Sequence, residues 1–185
     1  FDLNVLYYDY LQSPAYDDPD IDFCGFAAAR LLESPFDVIG FGTICSTYPL
    51  TLRIADRVRR ARPQVPIVFG GPQASAVDIA TLQRFPQVDF ILRYEAEESL
   101  PALLNELEAG RAVETVAGLT YRRSGDVVRT PSSPVIDDLD RLPIPAYHRY
   151  PYLKQARFIP LELGRGCPMP ARSVRPTISS GATSA

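Results

Sequence analysis

The sequence predicts an α/β fold with a parallel sheet and helices on both faces. Three observations predict it. Short apolar runs at residues 36–44, 66–70 and 88–94 alternate with amphipathic helical stretches, the pattern of β-α-β units. The runs are almost continuously apolar, as strands buried on both faces must be. Each run leads into small or polar residues at 42–47, 70–75 and 94–98, where a strand turns into a helix.

The elements follow in order. Residues 3–10, LNVLYYDY, are β-branched and aromatic and are expected to form a strand. The loop 11–22 carries Asp17, Asp18, Asp20 and Asp22. Its acids suit the cap of a helix over 23–33, because a carboxylate accepts the unpaired N–H groups of a first turn. The run 36–44, FDVIGFGTI, is too short for a buried helix and is read as a buried strand. A helix then starts at Ser46 or Thr47. Leu50, Ile54 and Val58 form its apolar stripe, with Arg53, Arg57 and Arg60 off it. The strand 66–70 ends in Gly70-Gly71-Pro72, and a short helix over 76–85 follows. After the strand 88–94, Ser99 caps a helix whose Leu100, Leu103, Leu104 and Leu107 share one face and which Gly110 closes.

Beyond Gly110 the character changes. Residues 118–123 and 126–130 flank Ser124-Gly125 as a hairpin. Residues 131–152 hold Pro131, Pro134, Pro143, Pro145 and Pro151 with the acids Asp137, Asp138 and Asp140, and are expected to be an extended linker. Residues 158–163 suggest one more strand, leading into Gly164-Arg165-Gly166-Cys167-Pro168. From Met169 the chain is rich in Ser and Thr without periodicity, and disorder is expected.

Composition excludes several classes. Apolar residues are 46% and charged residues 22%, those of a globular chain. The net charge of −3 disfavours a duplex-binding protein. No apolar run approaches the roughly 18 residues a membrane helix needs. Cys24, Cys45 and Cys167 form neither a CxxC pair nor an even framework, which fits a reduced, cytoplasmic setting. Residue 1 is Phe and Met169 is the only methionine, so the chain is expected to be a fragment.

In an open parallel sheet, ligands bind beyond the carboxyl ends of the strands. The three strand-to-helix segments lie at that edge. Gly42, Gly70 and Gly71 permit close approach to the backbone. Thr43, Ser46 and Thr47 offer hydroxyls at the start of a helix, a place suited to anionic or amide-bearing ligands. Cys45 sits among them, to contact a ligand or fill the core, whereas Cys24 is read as helix packing. The only histidine, His148, falls in the proline-rich linker, and the sequence has no DxHxxG motif.

These segments carry a family resemblance. The stretch GFGTICSTYPLTLRIADRVRRARPQVPIVFGGPQAS, followed by VDFILRYEAEESLPALL, resembles the cobalamin-binding domain of cobalamin-dependent radical S-adenosylmethionine enzymes. DDLDRLPIPAYHRYP and LELGRGCP resemble that family's passage into its catalytic barrel, so the likeness covers about residues 1–168. It implies a flavodoxin-like (Rossmann-like) sheet and a bound cobalamin. Thr43, Ile44, Cys45, Ser46 and Thr47 would line the corrin and its nucleotide tail, and Gly70, Gly71, Pro72 and Gln73 would form a second wall. In the third loop Glu97 matches the family, while Tyr94 and Ala96 stand where relatives usually have Gly. With no DxHxxG motif, no histidine is expected beneath cobalt.

The resemblance also implies what this chain lacks. The family's fold opens with a strand and helix that should precede residue 1. Its first strand lies in the sheet's interior, between the second and third. The family's cluster motif is CxxxCxxC. Cys167 matches its first metal-ligating cysteine, but Ala171 and Val174 stand at the next two. One thiolate cannot hold a four-iron cluster, so an iron–sulfur cluster and S-adenosylmethionine are expected only in intact relatives. The expected division is a cobalamin-binding domain at 1–117, hairpin and linker at 118–157, the first barrel strand at 158–168, and a tail at 169–185 that resembles an out-of-frame read. Alone the chain is expected to be inactive, with the barrel as its partner in cis in intact relatives. The alternatives are a flavodoxin-like module for another ligand, or a gene remnant. A phospho-receiver would need a lysine after its last strand, and the one lysine, Lys154, lies outside the sheet.

Overall fold

A computed structural model of the chain describes residues 3–146 and 164–165. The expected strand at 158–163, the tail at 169–185, His148 and Cys167 lie outside the described residues. The chain divides into two units after Ile136. In the second unit the described part carries one 3-10 turn, Leu139–Arg141.

The first unit runs α1 (Leu3–Leu11), α2 (Phe23–Leu32), β1 (Ile39–Gly42), α3 (Tyr48–Ala61), β2 (Ile67–Gly70), α4 (Pro72–Ala76), α5 (Asp78–Arg84), β3 (Phe90–Leu92), α6 (Ser99–Glu108), β4 (Leu119–Arg123) and β5 (Asp126–Arg129). The sheet order is β1-β2-β3-β4-β5. The first three strands are parallel, with Ile39 opposite Ile67, Gly42 opposite Gly70, and Phe69 opposite Ile91. The expected α/β sheet is therefore present. The hairpin, which the sequence sets apart from residue 118, instead completes this sheet. β4 pairs antiparallel with β3, placing Leu119 opposite Leu92.

Alternation along the strands sends side chains to two cores. Ile67, Phe69 and Ile91 meet α1, α2, α3 and α5 through Leu6, Ala27, Leu31, Ile54, Val58 and Leu82. Val68, Leu92, Leu119 and Tyr121 meet Leu103 of α6 on the other face. Helices thus cover both faces. The leucine face of α6 is narrower than its spacing suggests, since Leu103 is buried while Leu100 and Leu104 are exposed.

One expected strand is a helix. Residues 3–11 take no part in the sheet and form α1. Its rings decide the matter. Tyr10 packs against Phe23 and Phe26 of α2, Tyr7 meets Phe23 edge-on, and Leu6 is buried in the same cluster. Leu6 and Tyr10 stand one helical turn apart, so a helix brings both onto α2, whereas a strand would send alternate residues to opposite faces. Packing against a neighbour overrides strand propensity.

The acidic loop caps α2 as expected. Asp22 accepts the N–H of Gly25 at 2.7 Å and also pairs with Arg57 of α3. Cys24 is buried in the core, and that burial pushes its thiol pKa up. α3 begins after Thr47, but no Thr47 side-chain bond caps it; the Thr47 hydroxyl turns back toward the Ile44 carbonyl at 3.5 Å. α6 starts at Ser99 with Glu98 at its cap position, and the Ser99 hydroxyl faces that of Ser133 at 3.3 Å.

Candidate functional site at the carboxyl edge of the sheet

β1, β2 and β3 run parallel, so their carboxyl ends meet on one edge. The segments after Gly42, Gly70 and Leu92 lie there together. What joins them is a set of hydrogen bonds between loops. The Thr43 N–H and Thr43 Oγ1 both donate to the Gly70 carbonyl, each at 2.8 Å. Thr43 Oγ1 also accepts the Ala74 N–H at 3.0 Å, and the Thr43 carbonyl accepts the Gln73 N–H at 3.3 Å. The first loop is thereby stitched to the second.

Gly71 completes the junction. Its φ is +90°, and a Cβ there would lie 2.6 Å from the Thr43 carbonyl oxygen. Only glycine allows the two backbones to approach this closely. A second hydroxyl reaches the third loop. Ser75 Oγ donates to the Gly71 carbonyl at 2.8 Å and accepts the Tyr94 N–H at 2.8 Å. Three loops from three strands are held as one rigid rim.

The expected site residues divide by position on this rim. Thr43 is 1% exposed, so its hydroxyl holds the loops together and is not presented to a ligand. Ile44, Cys45, Ser46, Pro72 and Glu97 are exposed, while Thr47, Gly70, Gly71 and Gln73 are partly buried. The exposure of Cys45 removes the core-filling reading of that residue. Among the described residues, no group of three or more His, Cys, Asp or Glu is placed to hold a metal ion.

Behind the rim lies a polar anchor that local sequence does not announce. The Asp78 carboxylate, on the first residue of α5, is 1% exposed and takes Arg129 Nε at 2.8 Å and the Thr120 hydroxyl at 2.6 Å. Burial would push this carboxyl up, but the Arg129 and Thr120 hydrogen bonds hold it below the usual carboxylate range. Arg93, at the end of β3, is buried and reaches the Thr130 carbonyl at 2.6 Å. That burial lowers the Arg93 pKa from its ordinary value. Glu95 accepts the Ile136 N–H at 2.8 Å. These contacts tie the third loop to the hairpin and to the chain that follows it. Their only sequence signal is polarity inside apolar runs, such as Thr120 in a buried strand.

The rim also bears exposed apolar surface. Ile44 is 52% and Tyr94 56% exposed. Together with the glycines, they make an edge that is open, partly apolar and rich in backbone amides, suited to a large flat ligand carrying amide groups. A second cleft beside α3, lined by Asp22, Arg53, Asp56, Arg57 and Arg60, contains none of the rim residues, and Asp22 and Asp56 pair with Arg57 and Arg60.

Residues 17–104 match the family model of the B12 binding domain. An uncharacterized methyltransferase of Pyrococcus horikoshii is 29% identical over 136 residues, 71% of this chain and 30% of that protein. The anaerobic magnesium-protoporphyrin IX monomethyl ester cyclase of Synechocystis is 31% identical over 137 residues, 71% of this chain and 27% of the cyclase. The chain thus spans less than a third of these curated relatives. Among solved structures, the radical S-adenosylmethionine methyltransferase TsrM from Kitasatospora setae, with cobalamin and a [4Fe-4S] cluster bound, superposes with a TM-score of 0.53 at 18% identity over 64% of this chain and 22% of TsrM. The cobalamin-dependent radical enzyme OxsB gives 0.52 at 23% identity over 60% of this chain and 16% of OxsB. These structural likenesses show a shared fold, and the match to the B12 binding domain model covers residues 17–104.

Proposed function

We propose that the chain binds cobalamin at the carboxyl edge of β1–β3, as the cobalamin-holding part of a radical S-adenosylmethionine enzyme. The observation that carries this reading is the three-loop rim stitched by Thr43 and Ser75 around Gly70-Gly71. Its residues fit the group. The glycines leave the backbone open, since a Cβ on Gly42 meets nothing within 4 Å and one on Gly70 meets only the Leu92 carbonyl, at 3.8 Å. Ile44 and Tyr94 supply exposed apolar surface beside them.

In this reading Ile44, Cys45, Ser46 and Thr47 line one side of the ligand, and Gly70, Gly71, Pro72 and Gln73 the other. Thr43 acts from behind, by fixing the Gly70 and Gln73 peptides. Glu97 stands on the third loop, beside the start of α6. Bound cobalamin would supply an organometallic cobalt centre able to carry a one-carbon group. The chain's own part is to bind and orient it and to keep the rim rigid. His148, the sole histidine, stands in the proline-rich segment, and no protein imidazole is proposed beneath cobalt. A barrel carrying the cluster would lie in cis beyond the linker.

The test is direct. Hydroxocobalamin mixed with the 185-residue chain should co-elute with it on gel filtration and titrate to a stoichiometric end point. Unchanged ligand elution with a folded protein would overturn the proposal. The EPR spectrum of the bound cobalt(II) form should be the same in His148→Ala; a nitrogen coupling lost in that variant would show an imidazole ligand.

A further inference from the structure

Tyr94 has a backbone conformation that its side chain does not favour. Its φ is +62°, in the left-handed region. A bulky residue there carries strain of order 1 kcal/mol or more, which glycine would not. The strain is held in place on the donor side of the residue, because the Tyr94 N–H is bound by Ser75 Oγ at 2.8 Å. Yet the ring gains little packing in return, since Tyr94 is 56% exposed. The other non-glycine residue with positive φ among the described residues is Ser124, beside Gly125 at the tip of the hairpin, where turn geometry accounts for it. Tyr94 has no such turn to explain it.

The position gives the strain a use. Tyr94 follows β3 on the rim, and Ser75 links its peptide to Gly71 of the second loop. Its immediate neighbour Arg93 is anchored under the hairpin, which limits how far the loop can shift. The ring is therefore an exposed apolar plate on a rigid mount at the edge of the proposed site.

We infer that Tyr94 is a ligand-binding residue, whose ring forms the apolar wall of the third loop against a bound cobalamin. This inference rests on the cobalamin reading and names a residue that gives this rim an aromatic contact. An aromatic face laid on a large conjugated or heteroaromatic ligand contributes binding without needing the hydroxyl. The strain at Tyr94 is then offset in the complex and not in the free chain.

Two measurements on the 185-residue chain test it. The first is affinity for hydroxocobalamin by absorbance titration, beside thermal stability, for the parent chain, Tyr94→Gly and Tyr94→Phe. Tyr94→Gly relieves the strained backbone, so it should fold with stability equal to or above that of the parent, yet bind about tenfold more weakly. Tyr94→Phe should bind as the parent does. Parent-like affinity in Tyr94→Gly would overturn the inference while leaving cobalamin binding intact. Failure of the parent to bind would overturn both readings.

The second measurement is tyrosine nitration with tetranitromethane, read by peptide mass spectrometry. Tyr94 should react in the free chain and be protected by saturating cobalamin. Tyr16, 54% exposed in the 3-10 turn Pro14–Tyr16, should react equally in both and serves as the internal control. Equal nitration of Tyr94 with and without cobalamin, in a chain that binds it, would overturn the inference.

Discussion

Thr43 Oγ1 and the Gly70 carbonyl lie 2.8 Å apart across 27 residues of chain, and the same hydroxyl accepts the Ala74 N–H. One buried side chain thereby satisfies two backbone groups at the start of the second loop. Thr43→Val keeps the shape but leaves the Ala74 N–H unpaired, while the Gly70 carbonyl keeps only the bond from the residue-43 N–H. It should cost about 1–3 kcal/mol in chemical denaturation and weaken cobalamin binding. Thr43→Ser keeps the hydroxyl and should recover most of both. Equal losses in the two variants would show that the methyl group, not the hydroxyl, matters.

Gly70 and Gly71 are adjacent but should respond differently to alanine. At Gly71 a methyl group meets the Thr43 backbone at 2.6 Å in a left-handed conformation, so Gly71→Ala should destabilise by roughly 2 kcal/mol or more. At Gly70 the nearest atom to a Cβ is 3.8 Å away, so Gly70→Ala should leave stability nearly unchanged. A bulkier Gly70→Leu should reduce cobalamin affinity without unfolding the chain. Melting curves and titrations separate the two effects.

The Asp78–Arg129 pair gives a pH signature. Asp78 titrates below the ordinary carboxylate range in the folded chain, so its contribution to stability is present above that range and is lost as pH falls through the folded pKa. In Arg129→Leu the buried carboxyl loses its main partner and burial raises its pKa, so ionised Asp78 becomes a liability near neutrality. The stability gap between parent and Arg129→Leu should be widest at neutral pH, about 2 kcal/mol given that Arg129 is itself half exposed. The gap should narrow as pH is lowered into the carboxylate range. A gap independent of pH would mean that Arg129 acts through packing alone.

Asp22 has two roles that substitution can separate. It caps α2 through Gly25 and pairs with Arg57 on the surface. Both partners of the pair are well exposed, so Arg57→Met should cost no more than about 0.5 kcal/mol. Asp22→Ala removes the cap as well and should cost about 1 kcal/mol. Equal costs in urea titrations would assign the stability to the ion pair.

α1 tests whether residues 3–11 belong to the helical layer. Leu6 is 4% exposed against the first core, so Leu6→Ala should cost about 2–3 kcal/mol. A change within about 0.5 kcal/mol would mean that this segment is not docked as described.

By itself the sequence determined the alternation of buried strands and helices, the hairpin, the cap on α2 and the edge where three small-residue loops meet. These depend on features a few residues long: period, apolar runs, turn residues and capping acids. Tertiary structure alone decided what depends on distant partners. Residues 3–10, strand-like in sequence, fell within α1 because Tyr7 and Tyr10 found rings on α2. The hairpin joined the sheet because β4 found the open edge of β3. Thr43, expected at the ligand surface, turned inward to bond Gly70 and Ala74, and Asp78 found Arg129 across 51 residues. Tyr94 acquired its left-handed backbone on a loop that Ser75 and Arg93 hold from two sides. The reason is physical: local propensity is worth tenths of a kcal/mol per residue, whereas satisfying one buried polar group or docking one aromatic ring is worth about 1 kcal/mol or more.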